Sequence, residues 1–216
     1  MLVLVCGLPG SGKSLSAKKV ATFFRGTHLN TDIIRRKILL RGSPELSAAH
    51  PDRYDLEYAF DRLVHIPPPI QELIWKQKEF VYERLFEETE RELRAKNVIL
   101  DATFFQKKNR QRAYGTAHTT GTDVYVIECQ ATTEVIKSRL ARRKYGKRAS
   151  NVADIEVFEK VKKKYEDPRQ DGVPLLVYDT SSDTFRYFNV TSKKDLSMLK
   201  KMESILKTPL HTLRQG

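Results

Sequence analysis

Residues 7–14 read Gly-Leu-Pro-Gly-Ser-Gly-Lys-Ser, the spacing G-x-x-x-x-G-K-[ST], directly behind the apolar run Leu2-Val3-Leu4-Val5-Cys6. A phosphate cradle needs a buried strand to fix its base, a tight turn, and a helix whose first amides point at the ligand. The apolar run supplies the strand, and residues 15–24 carry a helical pattern. Three glycines let the turn offer backbone N–H groups to phosphate with no Cβ in the way. In such a loop Gly7, Leu8, Pro9, Gly10, Ser11, Gly12, Lys13 and Ser14 surround the phosphates. Lys13 reaches the β- and γ-phosphates, and the Ser14 hydroxyl goes to Mg²⁺. The chain is therefore expected to bind a nucleoside triphosphate.

With 216 residues, 40% hydrophobic and 31% charged, the chain has the composition of one well-cored globular domain. No apolar run approaches the roughly 20 residues that span a bilayer, so no membrane partner is expected. The first strand pattern begins at residue 2, so no signal or transit peptide is expected. Cys6 and Cys129 both fall in strand patterns and read as buried reduced thiols, which predicts a cytoplasmic setting. The formal net charge of +12 admits a polyanionic partner, RNA first, or else the cationic surface of an enzyme that handles triphosphates.

Strand and helix patterns alternate along most of the chain, which predicts an α/β fold with a mainly parallel sheet. Strands are expected at 27–31, 97–101, 123–129 and 173–179, and helices at 33–40, 70–95, 107–118, 132–144 and 154–165. Residues 44–69 are irregular, and 145–151 form a basic loop. A strand at 185–190 and a helix at 196–206 follow. In open sheets of this kind ligands sit beyond the carboxyl ends of the strands. The polar residues there are the glycine loop, Asp32, Asp101-Ala102-Thr103 and Asp179-Thr180.

Phosphoryl transfer asks for positioning, charge neutralisation and a group that orients the nucleophile. Asp32 is a candidate general base, or a cap for the helix that begins at Ile33. Arg35, three residues on, shares its face and could bind an anionic group of the acceptor. Asp101 is a candidate metal acid, or a turn cap. Arg139 and Arg143, one helical turn apart, could grip one polyphosphate, or belong to a solvated basic helix with Arg142, Lys144, Lys147 and Arg148. The five histidines show no metal-ligand spacing.

Together the glycine loop, Leu29-Asn30-Thr31-Asp32 with Arg35, Ile99-Leu100-Asp101-Ala102-Thr103 and Arg139/Arg142/Arg143 form an ordered set. It resembles the P-loop kinases related to polynucleotide 5′-kinase, zeta toxin and the seryl-tRNA kinases. More narrowly it is similar to an AAA-type ATP-binding kinase domain also found fused to aminoglycoside-phosphotransferase-like domains. The resemblance covers residues 1–180 and implies a three-layer α/β/α P-loop NTPase fold. Its sheet would have five strands in the order 2-3-1-4-5, with a helical insertion at 44–70 and a basic lid at 139–151. Residues 181–216 would then be a strand-plus-helix extension packed on the same domain. By the same resemblance Asp32 is the general base, Arg35 the acceptor-phosphate contact, Asp101 the acid near Mg²⁺, and Arg139 or Arg143 the lid arginine on ATP. Residues 44–69 and the C-terminal tail match no substrate module.

The function expected is ATP- and Mg²⁺-dependent transfer of the γ-phosphoryl group to a hydroxyl, with a nucleic-acid or tRNA-borne acceptor favoured by the charge. A small-molecule or nucleotide kinase is the second reading, and it predicts cations spread evenly over the surface. A non-catalytic, ATP-gated RNA-binding protein is the third.

Overall fold

The computed structural model describes residues 1–34, 68–144 and 155–214. Arg35, nearly all of the expected insertion and the basic loop at 145–151 lie outside these residues. In chain order the elements are β1 (Leu2–Cys6), α1 (Lys13–Phe23), β2 (Thr27–Asn30), α2 (Pro68–Leu93), β3 (Val98–Asp101) and α3 (Lys107–Thr119). They are followed by β4 (Val124–Gln130), α4 (Thr133–Lys144), α5 (Ile155–Lys163), β5 (Leu175–Asp179), β6 (Thr184–Phe188) and α6 (Lys193–Lys207). Two prolines open α2, a position where a missing N–H costs no helical hydrogen bond.

The six strands form one sheet in the order β2-β3-β1-β4-β5-β6. The first five run parallel in the expected order, and the sheet has a sixth strand because β6 pairs antiparallel with β5, Asp179 opposite Thr184. The connection is a tight turn in which the Asp179 carboxylate accepts from the Ser181 N–H at 2.8 Å.

All five residues of β1 are buried, as a central parallel strand covered on both faces requires. Alternation along the strands sorts the side chains into two layers. Leu2, Leu4, Leu100, Val126 and Val177 face α2 and α3, meeting Val81, Leu85 and Ala113. On the other face Val3, Val5, Ile99 and Ile127 meet Ala17 and Val20 of α1, with Leu199 and Met202 of α6. A smaller cluster joins Ile136 and Leu140 of α4 to Phe158 of α5, and Leu8 of the glycine loop packs on it. No helix among the described residues is long and apolar enough to cross a membrane.

Candidate active site

β1 delivers the glycine loop to the carboxyl edge of the sheet, where the chain must turn sharply into α1. Gly7 has φ +131°, and a Cβ there would stand 2.2 Å from the Cys129 carbonyl oxygen, so no side chain fits. Gly12 caps α1 in the left-handed region, φ +99°, with no side chain donating to or accepting from the cap. The first amides of α1 thus remain available to an anion, with the helix dipole behind them. Lys13 folds over the loop and its Nζ donates to the Leu8 carbonyl at 2.9 Å.

Lys13 and Ser14 share a cleft with Asn30 and Asp32 from the end of β2 and Asp101 and Thr103 from the end of β3. Register explains the meeting: Asn30 stands opposite Asp101 and Val5 opposite Asp101 on the other side. Asn30 Nδ2 donates to Asp101 Oδ2 at 2.5 Å, and His28 Nε2 lies 3.2 Å from the same oxygen. Burial by itself would raise the Asp101 carboxyl. The His28 hydrogen bond, the Lys13 charge and the Asn30 amide outweigh it and hold the group below the usual carboxylate range.

Asn30 has a second task. Its Oδ1 accepts from the N–H groups of Asp32, at 2.8 Å, and Ile33, at 3.2 Å, where residues 31–34 turn helical. The helix start is capped by Asn30, not by Asp32, which lines the cleft.

Arg139 lies against the glycine loop itself. Its guanidinium donates to the Gly10 carbonyl at 3.2 Å, to Thr180 Oγ1 at 2.7 Å and to the Thr180 carbonyl at 3.1 Å. Thr180 Oγ1 is in turn 2.9 Å from the Ser11 carbonyl and 3.1 Å from that of Gln130. Arg142 is exposed on α4, and Arg143 belongs to the same helix.

The segment after Asp101 is braced from behind. The Thr103 carbonyl accepts from Gly7 N–H at 3.2 Å, and buried Phe104 adopts φ +46°. A non-glycine residue persists in that region only where its surroundings hold it. Here Arg110, fully buried, donates to the Phe104 and Glu166 carbonyls, both at 2.9 Å. The same guanidinium forms a two-pronged pair with Asp171 at 2.6 and 3.1 Å.

Of the residues read from the sequence, Lys13, Ser14, Asp32 and Asp101 meet in one cleft. Arg139 sits on the outer side of the loop, joined to it through Thr180. The roles of His28, Asn30 and Arg110 were not read from the sequence. Asn30 had a signal, a polar residue in the last position of a strand two before an acid. Buried Arg110 had none, since it stands in a helix crowded with exposed cations.

A model of the AAA domain family matches residues 2–168. No curated protein matches the chain. Among solved structures it is similar to a candidate kinase from Chloroflexus aurantiacus, 18% identical, with 95% of each chain covered and a TM-score of 0.58. It is also similar to Kti12 of Chaetomium thermophilum in complex with ADP-AlF3, 18% identical, covering 96% of this chain and 100% of that one, with a TM-score of 0.56. A gluconokinase from Sinorhizobium meliloti is 13% identical over 99% and 93% of the two chains, with a TM-score of 0.51. At these identities the likeness is one of fold, the α/β fold of P-loop kinases.

Proposed function

The chain belongs to the AAA domain family, and from that premise we propose that it is a kinase that transfers the γ-phosphoryl group of ATP to a hydroxyl. The observation that carries this reading is the convergence of Lys13, Ser14, Asp32 and Asp101 on one cleft beside the amino end of α1. The Asp32/Arg35 and Asp101-Ala102-Thr103 patterns support a place near polynucleotide 5′-kinase, zeta toxin and the seryl-tRNA kinases.

The loop amides and the α1 dipole hold the β-phosphate, and Lys13 leaves the Leu8 carbonyl to bridge the β- and γ-phosphates. The acceptor oxygen bonds to the γ-phosphorus while the bond from that phosphorus to the β–γ bridging oxygen breaks. ADP departs with the electron pair, and the hydroxyl proton passes to Asp32. Mg²⁺ prefers one or two carboxylates plus phosphate oxygens and water. An anionic Asp101 in the same cleft as Ser14 fits that preference, and among the described residues no group of three or more His, Cys, Asp or Glu forms a protein-only cage. Ser14 and Asp101 would hold the ion, whose charge offsets that of the phosphate oxygens.

The charge distribution favours a small acceptor over a nucleic acid. Exposed cations stand on α1 (Lys18), α3 (Lys108, Arg112), α4 (Lys137, Arg142), α5 (Lys160, Lys163) and α6 (Lys200, Lys201), so among the described residues they are not gathered at the cleft. Buried free thiols at Cys6 and Cys129 support a reducing, cytoplasmic setting.

Calorimetry with MgATP and a radiolabelled transfer assay test this reading. Lys13→Ala should weaken ATP binding at least tenfold. Asp32→Asn should bind ATP normally and lose about 10²–10⁴-fold in transfer rate. An unaltered ATP affinity in Lys13→Ala would end the kinase proposal, and RNA binding with a steep salt dependence would restore a nucleic-acid acceptor.

A further inference from the structure

Among the described strands β2 stands at an edge of the sheet and pairs with β3. Leu29 turns into the apolar layer beneath α2 and α3, so alternation sends His28 and Asn30 to the opposite face. There the register sets His28 opposite Ile99 and Asn30 opposite Asp101, the last residue of β3. Val3, Val5 and Ile99 belong to the apolar layer on that face, which makes an imidazole at position 28 the exception.

We infer that His28 is a positioning residue for phosphoryl transfer: its bond to Asp101 Oδ2 holds the carboxylate so that Oδ1 is presented to Mg²⁺. The inference rests on the kinase reading above and adds to it a residue that does not itself line the cleft. Three observations carry it.

The first is that two donors converge on one oxygen. Asn30 Nδ2 donates to Asp101 Oδ2 at 2.5 Å, and His28 Nε2 stands 3.2 Å from the same atom. An ionised carboxylate has acceptors alone, so the ring donates through Nε2. Among the described residues no hydrogen bond falls on Oδ1. A carboxylate turns easily about its last side-chain bond, and fixing one oxygen also aims the other.

The second is what His28 is committed to. Its side chain is 18% exposed and that of Asp101 2%, and Asp101 is its one side-chain partner among the described residues. The ladder from Thr27 opposite Val98 to Asn30 opposite Asp101 already joins β2 to β3 along the whole strand. Strand pairing therefore does not call for the imidazole.

The third is the neighbourhood of Lys13. Its charge acts on Asp101 and helps to keep it ionised, while its Nζ bonds to the Leu8 carbonyl. A carboxylate free to turn would be drawn to that ammonium and compete with phosphate for it. A pinned carboxylate leaves the lysine to the nucleotide and its own second oxygen to the metal.

The test is calorimetry of ATP binding to the full chain, once with Mg²⁺ and once with EDTA. The readout is the factor by which Mg²⁺ tightens ATP. Loss of a partner that orients a metal ligand typically costs 10–100-fold in metal affinity or activity. His28→Leu should therefore cut that factor about tenfold while ATP affinity in EDTA stays within twofold, and the Mg²⁺ concentration for half-maximal transfer should rise to match. His28→Gln keeps an N–H donor and should stay within threefold of the wild type. Equal loss of ATP affinity with and without Mg²⁺ would make His28 a strut for the strand and overturn the inference. An unchanged Mg²⁺ factor in His28→Leu, or a His28→Gln as impaired as His28→Leu, does the same. His28→Ala carries the measurement if His28→Leu does not fold, and failure of both to fold also assigns a strut. The wild type keeps the two proposals apart: no ATP binding defeats the kinase reading itself, whereas ATP binding that Mg²⁺ strengthens equally in all variants defeats only the role of His28.

Discussion

A peptide plane carries its carbonyl and its amide on opposite edges, so a partner that captures the one also aims the other. Thr180 does this to the glycine loop. By taking the Ser11 carbonyl at 2.9 Å it turns the Gly12 N–H the opposite way, toward the cleft that Gly12 lines. Arg139 secures the same arrangement by binding Thr180 and the Gly10 carbonyl together. An isosteric Thr180→Val removes the hydroxyl and nothing else, leaving the Ser11 carbonyl unheld. We expect ATP affinity to fall about tenfold, equivalent to ~1.4 kcal/mol, with restoration in Thr180→Ser; equal affinities for all three forms would show that the loop needs no such anchor. Thr180 was visible in the sequence as a polar residue at a strand end. That it addresses the loop was not, because the contact spans 169 residues.

At the scale of elements, the loop between β3 and α3 depends on a cross-brace from α3 itself. Arg110 ties Phe104 to Glu166 and Asp171, and Tyr114 Oη adds a 2.9 Å bond to the same carboxylate. Burial disfavours the Arg110 charge, but Asp171 more than compensates and keeps the guanidinium firmly protonated. Removing one partner strands the other in the interior, which costs about 3–5 kcal/mol. Arg110→Ala should therefore lower the thermal midpoint by roughly 6–20 degrees, whereas Arg112→Ala, on the exposed face, should change it little. Comparable melting of the two variants would show the brace to be dispensable. The helix itself was legible from its pattern, but which of its cations points inward was not. Neighbouring Lys108, Arg110 and Arg112 look alike in sequence and differ only in what packs over them.

For the whole molecule, the tail belongs to the core. β6 extends the sheet and α6 buries Leu199, Met202, Ile205 and Leu206 on the face that also carries α1. Each such side chain contributes about 1.5–3 kcal/mol by leaving water. Truncation after residue 180 would uncover the surfaces of α1 and β5 on which the missing helix packs and remove the strand partner of β5. The shortened chain should be insoluble or melt without a cooperative transition; a soluble form with a sharp transition would mean that the first 180 residues fold alone. The sequence pattern gave the tail a strand and a helix packed against a domain of residues 1–180, and the resemblance likewise ended at about residue 180; neither showed that the tail completes the sheet and the core.

The sequence alone was enough to place the glycine loop between a strand and a helix, to predict a mainly parallel sheet, and to mark Lys13, Ser14, Asp32 and Asp101. These follow from local chemistry: turn geometry, side-chain periodicity, and acids in the last position of buried runs. Tertiary structure alone decided that Asn30 caps the turn after β2, that Thr180 and Arg139 hold the loop, and that Ser11 and Glu128 meet around a cavity. Each of those arrangements depends on which strands lie side by side and in what register, and that pairing is a property of the folded chain as a whole.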